Sequence, residues 1–221
     1  GKVVQRSLNE LLEIIQRARP FVDLLCISLH WGHEYFQFPS SSQRAMAHAL
    51  IEAGTNIIIG HHPHFIQGIE RYRKGLILYS LGNFFLPPMR GTYTGRLAYQ
   101  KALTQEFLLV FAEVLANGEI EYRMIGGKRQ DDYTLEPFDP QQSLYFEKRM
   151  RDLSLPLNRD EYESFWKNYR KRRLKELEWE SLVEAYKKFA MLSWGELFHS
   201  VRPGDLKRNI NRIWRLVGLT K

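Results

Sequence analysis

Val22-Asp23-Leu24-Leu25-Cys26-Ile27-Ser28-Leu29-His30-Trp31-Gly32-His33-Glu34 and Asn56-Ile57-Ile58-Ile59-Gly60-His61-His62-Pro63-His64 are two apolar runs that each end in a histidine cluster. Both runs are short enough for buried strands and too short for independent helices, and the second is β-branched. Between them Ser41 or Ser42 caps a helix, Ala45, Met46, Ala49, Leu50 and Ala53 recur at helical spacing, and Gly54 stops it after Glu52. The unit is therefore β-α-β. A crossover of this length returns the second strand parallel to the first. Both clusters then emerge at one carboxyl edge of the sheet, where open α/β sheets place ligands.

Five of the seven histidines stand in these two clusters. Neutral imidazole is the commonest side-chain ligand for divalent transition metals, and an extended backbone points His62 and His64, two residues apart, to one side. His30 offers a third nitrogen from the neighbouring strand end. His33 and Glu34 are then placed as outer partners or as acid–base groups. A single histidine is more often a capped or crevice-lining ring; a convergent set points to a metal. His61 faces the other way from its neighbour and reads as a bystander, while His48 within the helix and His199 in the tail read as structural.

At these residues the chain resembles the CapA family of bacterial capsule and poly-γ-glutamate synthesis proteins, whose domain is related to calcineurin-like metallophosphoesterases. The resemblance is carried by Ser28-Leu29-His30-Trp31-Gly32-His33-Glu34-Tyr35, by Gly60-His61-His62-Pro63-His64 with Gln67-Gly68-Ile69-Glu70, and by Tyr79-Ser80-Leu81-Gly82-Asn83-Phe84. It extends over roughly residues 8–115, with order and spacing preserved. It implies an α/β fold, a metallophosphoesterase-like mixed β-sandwich flanked by helices, followed here by a helical extension. It also implies a divalent metal ion, with His62 and His64 matching the family's closing ligand motif and His30 its earlier lone histidine. The family's site further draws on an Asp and an Asn-Asn-His motif upstream of the strand bearing His30. The 29 residues that precede His30 contain neither. The chain opens on Gly1 and passes from Val3-Val4 into a helix signalled by the capping box Ser7/Glu10, so it reads as the C-terminal portion of a longer protein.

Beyond the histidines, residues 75–79 read as a strand leading to Asn83, which either approaches the pocket as a substrate-binding group or shapes a turn. Residues 104–115 and 119–125 form a hairpin about Asn117-Gly118, at the sheet's edge or in a second layer. The loop between carries Arg90 and Arg96, which are placed either to receive an anionic substrate group or simply in solvent.

Charge divides the chain into a portion over 1–140 and a basic helical extension over 141–221. Residues 1–140 hold 14 Lys+Arg against 14 Asp+Glu, whereas 141–221 hold 18 against 11, so the whole formal charge of +7 lies in the tail. Asn158 and Glu161 cap a helix with Tyr162, Phe165, Trp166 and Tyr169 on one face, and Arg170-Lys171-Arg172-Arg173 turned to water. Pro203-Gly204 precedes a basic amphipathic helix that suits an anionic membrane surface, an acidic polymer or a synthase partner, or packs on the main domain. Nucleic acid is not the expected partner, since the aromatics follow helical spacing rather than a stacking platform and no recognised nucleic-acid module appears. The single cysteine, Cys26, rules out an intramolecular disulfide and reads as a small buried hydrophobe. That leaves open both the cytoplasm and the cell envelope; the resemblance implies the latter.

Three functions are consistent with the sequence. One is a metal-dependent hydrolase acting on a phosphoester with Mn, Fe or Zn. Another is a non-catalytic accessory protein of capsule or poly-γ-glutamate biosynthesis that binds an acidic polymer, a membrane or a synthase. The third is a structural fragment whose histidines line a crevice.

Overall fold

The computed structural model describes residues 6–86 and 102–190, with backbone alone for 102 and 183–190. Arg90, Arg96 and the terminal basic segment lie outside the described residues. Helix α1 (Leu8–Ala18) begins at the expected capping box: the Ser7 hydroxyl accepts from the Glu10 N–H, and the Glu10 carboxylate accepts from the Ser7 N–H at 2.7 Å. Two otherwise unpaired donors of the first turn are thus satisfied.

The β-α-β unit forms as its pattern requires. Strand β1 (Cys26–His30), helix α2 (Ser41–Glu52) and strand β2 (Ile57–His61) make a parallel crossover, with Cys26 opposite Ile57 and His30 opposite His61. The cap of α2 is Ser40, just before the two serines expected, because Gln43 stands three residues on and returns the bond to the Ser40 N–H. Strand β4 (Gly75–Leu78) pairs parallel to β2, and β3 (Ile69–Tyr72) closes the sheet antiparallel to β4, in the order β1-β2-β4-β3.

The hairpin about Asn117-Gly118 joins β5 (Glu106–Val114) to β6 (Ile120–Arg129), and β7 (Leu135–Pro137) completes a second three-stranded sheet. Of the two placements open to the hairpin, it takes the second layer. Helix α3 (Pro140–Ser154) brings Phe146, Met150 and Leu153 onto Ile57, Ile66, Ile69, Leu76, Leu78, Leu108 and Ile120, forming one core between sheet and sheet. The chain is thus mixed α/β, with helices and two sheets.

Three features differ from the sequence reading. β1 is an edge strand, its residues alternate between exposed and half-buried, and Cys26 is exposed rather than a core residue. An apolar run alone does not distinguish a strand with neighbours on both sides from one at an edge. The first compact unit runs to Trp166 rather than 140, since α3 supplies core side chains although the charge balance changes before it. The second unit begins at Lys167, within helix α4 (Tyr162–Ala190). There Arg173 is buried, not turned to water, and its guanidinium pairs with Glu176 at 3.0 Å and Glu180 at 2.9 Å. Among the described residues no helix is long and apolar enough to cross a membrane.

Glu70 is a buried carboxylate in the first unit. It accepts from the Tyr79 hydroxyl at 2.7 Å, pairs with Arg44 at 3.3 Å, and lies 2.9 Å from the His48 ring. Burial and the Glu70 charge push the Tyr79 phenol well above its ordinary range, so it remains a donor. A buried carboxylate that loses one donor keeps its desolvation cost. Tyr79→Phe is expected to lower unfolding free energy by about 1–3 kcal/mol in a urea titration; an unchanged midpoint would show that this bond contributes nothing net.

Candidate metal centre

Pairing of β1 with β2 continues past both strands and draws the histidine loops together. The Trp31 N–H donates to the His61 carbonyl at 3.0 Å, and the Tyr35 N–H donates to the Pro63 carbonyl at 2.8 Å. Buried Gln67 donates its side-chain N–H to the Phe36 carbonyl at 2.8 Å. Gly60 makes this approach possible: a Cβ there would collide with the Tyr79 carbonyl oxygen and with the Trp31 indole nitrogen that bonds it.

The loops bring one carboxylate and two imidazoles to a common point. A ligand atom each from Glu34, His62 and His64 lies within 4.8 Å of the others. His30 stands beside them, its ring centroid 4.6 Å from that of His62, and the His62 and His64 rings are 6.1 Å apart. The backbone that does this is not the extended one expected. His62 has φ of 99° and His64 of 60°, either side of Pro63, and Tyr35 has φ of 63°. Non-glycine residues in this region cost on the order of 1–3 kcal/mol each and concentrate where a site is held in a fixed arrangement.

Asn83 does more than shape a turn. Its side-chain N–H donates to the Thr104 carbonyl at 2.9 Å, which aims its oxygen at His64 Nδ1, also 2.9 Å away. That oxygen can only accept, so Nδ1 carries the proton and Nε2 is left with its lone pair free. An orienting acceptor behind an imidazole is the usual arrangement behind a metal-binding histidine.

The remaining candidates are placed differently. The His33 ring stacks on Trp166 at 5.9 Å and lies 5.2 Å from Phe36. His61, read as a bystander, lines the same recess of about 360 Å³ as His30, His62, His64 and Asn83. Leu81, Phe84, Phe85, Leu86, Leu108 and Leu109 line it too. Gln67 and the aromatic pair at 84–85 were not singled out from sequence. Gln67 fell within a quoted motif, but nothing in one sequence tells a buried clamp from an exposed amide.

An α/β domain with imidazoles gathered at the carboxyl edge of a parallel pair is a ligand-binding arrangement of the open-sheet class. Residues 2–87 match the family of bacterial capsule synthesis protein PGA_cap. The capsule biosynthesis protein CapA of Bacillus anthracis is 52% identical over 62 residues, 28% of this chain and 15% of that protein. The PGA biosynthesis protein CapA of Bacillus subtilis is 44% identical over 73 residues, covering 33% and 19%. A probable polyglutamine synthesis accessory protein of Mycobacterium tuberculosis is 38% identical over 61 residues, covering 28% and 16%. Over this segment the chain is similar to bacterial capsule synthesis proteins, CapA among them. The matched stretches span under a fifth of those relatives' lengths.

Burial, and then the neighbouring His30, holds His61 and His62 below the ordinary imidazole value of 6.5. As pH falls from 6.5, the unfolded chain takes up protons that the folded one resists, so stability is lost through the lowered folded values. The melting temperature in chelator is expected to be highest above neutrality and to fall between pH 6.5 and 5. His62→Asn should flatten the decline, since asparagine tolerates positive φ. A melting temperature that rises over that interval would contradict this ordering.

Proposed function

We propose that this chain contributes a divalent-metal-dependent hydrolase site of the metallophosphoesterase type to capsule or poly-γ-glutamate biosynthesis. The reading rests above all on the convergence of Glu34, His62 and His64 within 4.8 Å, with His64 oriented by Asn83. Two imidazoles and a carboxylate suit Zn, Mn or Fe. In this reading Glu34, which the sequence places in proton transfer, joins the ligands. His30, beside His62, adds a further nitrogen.

A divalent ion held there would supply Lewis acidity toward a phosphoryl or acyl oxygen and acidify a water. The chain's own part is to hold its donors in register. The Trp31 and Tyr35 backbone bonds fix the Glu34 loop against the His62 loop, and Asn83 fixes the His64 tautomer. His61, kept neutral by burial, is available on the recess wall to accept a proton. His33, stacked on Trp166, is left out of the chemistry. The substrate is a phosphoester, and the names of the relatives favour the bacterial cell envelope as the place of action.

A second reading is favoured by the Mycobacterium tuberculosis relative, named an accessory protein. In it the chain binds an acidic polymer, a membrane surface or a synthase partner, with the excess of 18 basic over 11 acidic residues in 141–221 supplying the attraction.

Elemental analysis after dialysis against Zn, Mn or Fe discriminates the two. Stoichiometric metal in the wild type, lost in His62→Ala/His64→Ala with the fold retained, supports the hydrolase site. Asn83→Ala should weaken metal affinity about 10- to 100-fold without displacing the ligands. A folded wild type that takes up no metal would sink the first reading and leave the second.

A further inference from the structure

The recess beside the histidines is lined by two chemically distinct sets of residues. One is His30, His61, His62, His64 and Asn83; the other is Leu81, Phe84, Phe85, Leu86, Leu108 and Leu109. Phe84 is 50% exposed and Phe85 59%, so two adjacent large aromatics present surface that folding has not removed from water. Scattered exposed apolar residues are normal, but a contiguous set sharing a concave site with polar groups marks a binding surface.

The wall is held in place. The Asn83 N–H donates to the Glu106 carbonyl at 3.1 Å, and the Leu108 N–H donates to the Leu81 carbonyl at 3.0 Å, tying residues 81–83 to β5. Phe84 meets buried Phe107 edge to face, with ring centroids 5.2 Å apart and planes at 74°. Asn83, which orients His64, is followed directly by Phe84 and Phe85. One segment, residues 83–85, therefore contributes to both the polar and the apolar lining. The described residues that line it include no lysine or arginine.

We infer that the recess binds a phosphoester whose phosphate carries an apolar substituent, aliphatic or aromatic, with the phosphate toward the histidines and the substituent against Phe84 and Phe85. This rests on the metal reading above and narrows its substrate class. Each methylene moved from water onto such a wall is expected to raise affinity about threefold.

The test is calorimetric titration of the full chain, loaded with Mn, with methyl-, propyl-, hexyl- and benzylphosphonate. The expected result is affinity rising along the alkyl series, with benzylphosphonate well above methyl. In Phe85→Ser, whose ring is 59% exposed, the dependence on substituent should flatten, with circular dichroism checking that the fold is kept. Phe84→Ser should do the same, with circular dichroism checking that loss of the Phe107 contact has not unfolded it. Methylphosphonate binding as tightly as the longer members, or an equally steep series in both variants, would overturn the apolar subsite and leave the metal reading standing. Binding of no phosphonate by metal-loaded protein would overturn both.

Discussion

Everything at the candidate site depends on the register of β1 against β2 and its continuation as a backbone zipper beyond the strands. Parallel strands have no shared turn to align their ends, so their ends meet only where the crossover and side-chain packing place them. Here His30 falls opposite His61, and the bonds from Trp31 to His61 and from Tyr35 to Pro63 carry the alignment into both loops. A slip of one residue would turn every side chain of β1 to the other face and remove Glu34 from His62 and His64. Gly60 makes the pairing permissible, since a side chain there would strike the Tyr79 carbonyl.

Around that zipper the molecule spends conformational freedom to hold a fixed donor set. Positive φ at Tyr35, His62 and His64 is unfavourable in an isolated chain and persists only because flanking contacts determine it. Gln67 bonding the Phe36 carbonyl, and Asn83 strung between Thr104 and His64, are two of those contacts. Both come from segments C-terminal to the β-α-β unit. The segment leading into the second sheet therefore serves the site as well as the core, because Thr104, two residues before β5, anchors the amide that orients His64.

Much of this was legible in the sequence, for identifiable reasons. The β-α-β unit, the Ser7/Glu10 box and the Asn117-Gly118 hairpin are local signals, each decided by residues within a few positions of one another. The edge position of β1 was not legible, because strand order depends on partners far along the chain. The inward role of α3 was hidden by a charge change at residue 140 that has nothing to do with packing. At the site, residue types pointed to His62 and His64. That Glu34 stands close to both His62 and His64 was not legible, because the Tyr35–Pro63 bond that joins the two loops is invisible in sequence. Asn83 was noticed, but its service to His64 needed the Thr104 carbonyl to fix which end of the amide points at the ring.

The central claim is that Glu34, His62 and His64 share one metal ion, with His64 coordinating through Nε2. Anomalous diffraction from crystals of the Zn-soaked chain, recorded on either side of the zinc absorption edge, tests it most directly. The account predicts a single strong anomalous peak within about 2.0–2.2 Å of a Glu34 oxygen, a His62 nitrogen and His64 Nε2. Zinc bound elsewhere, or on His64 Nδ1 with Asn83 displaced, would contradict it.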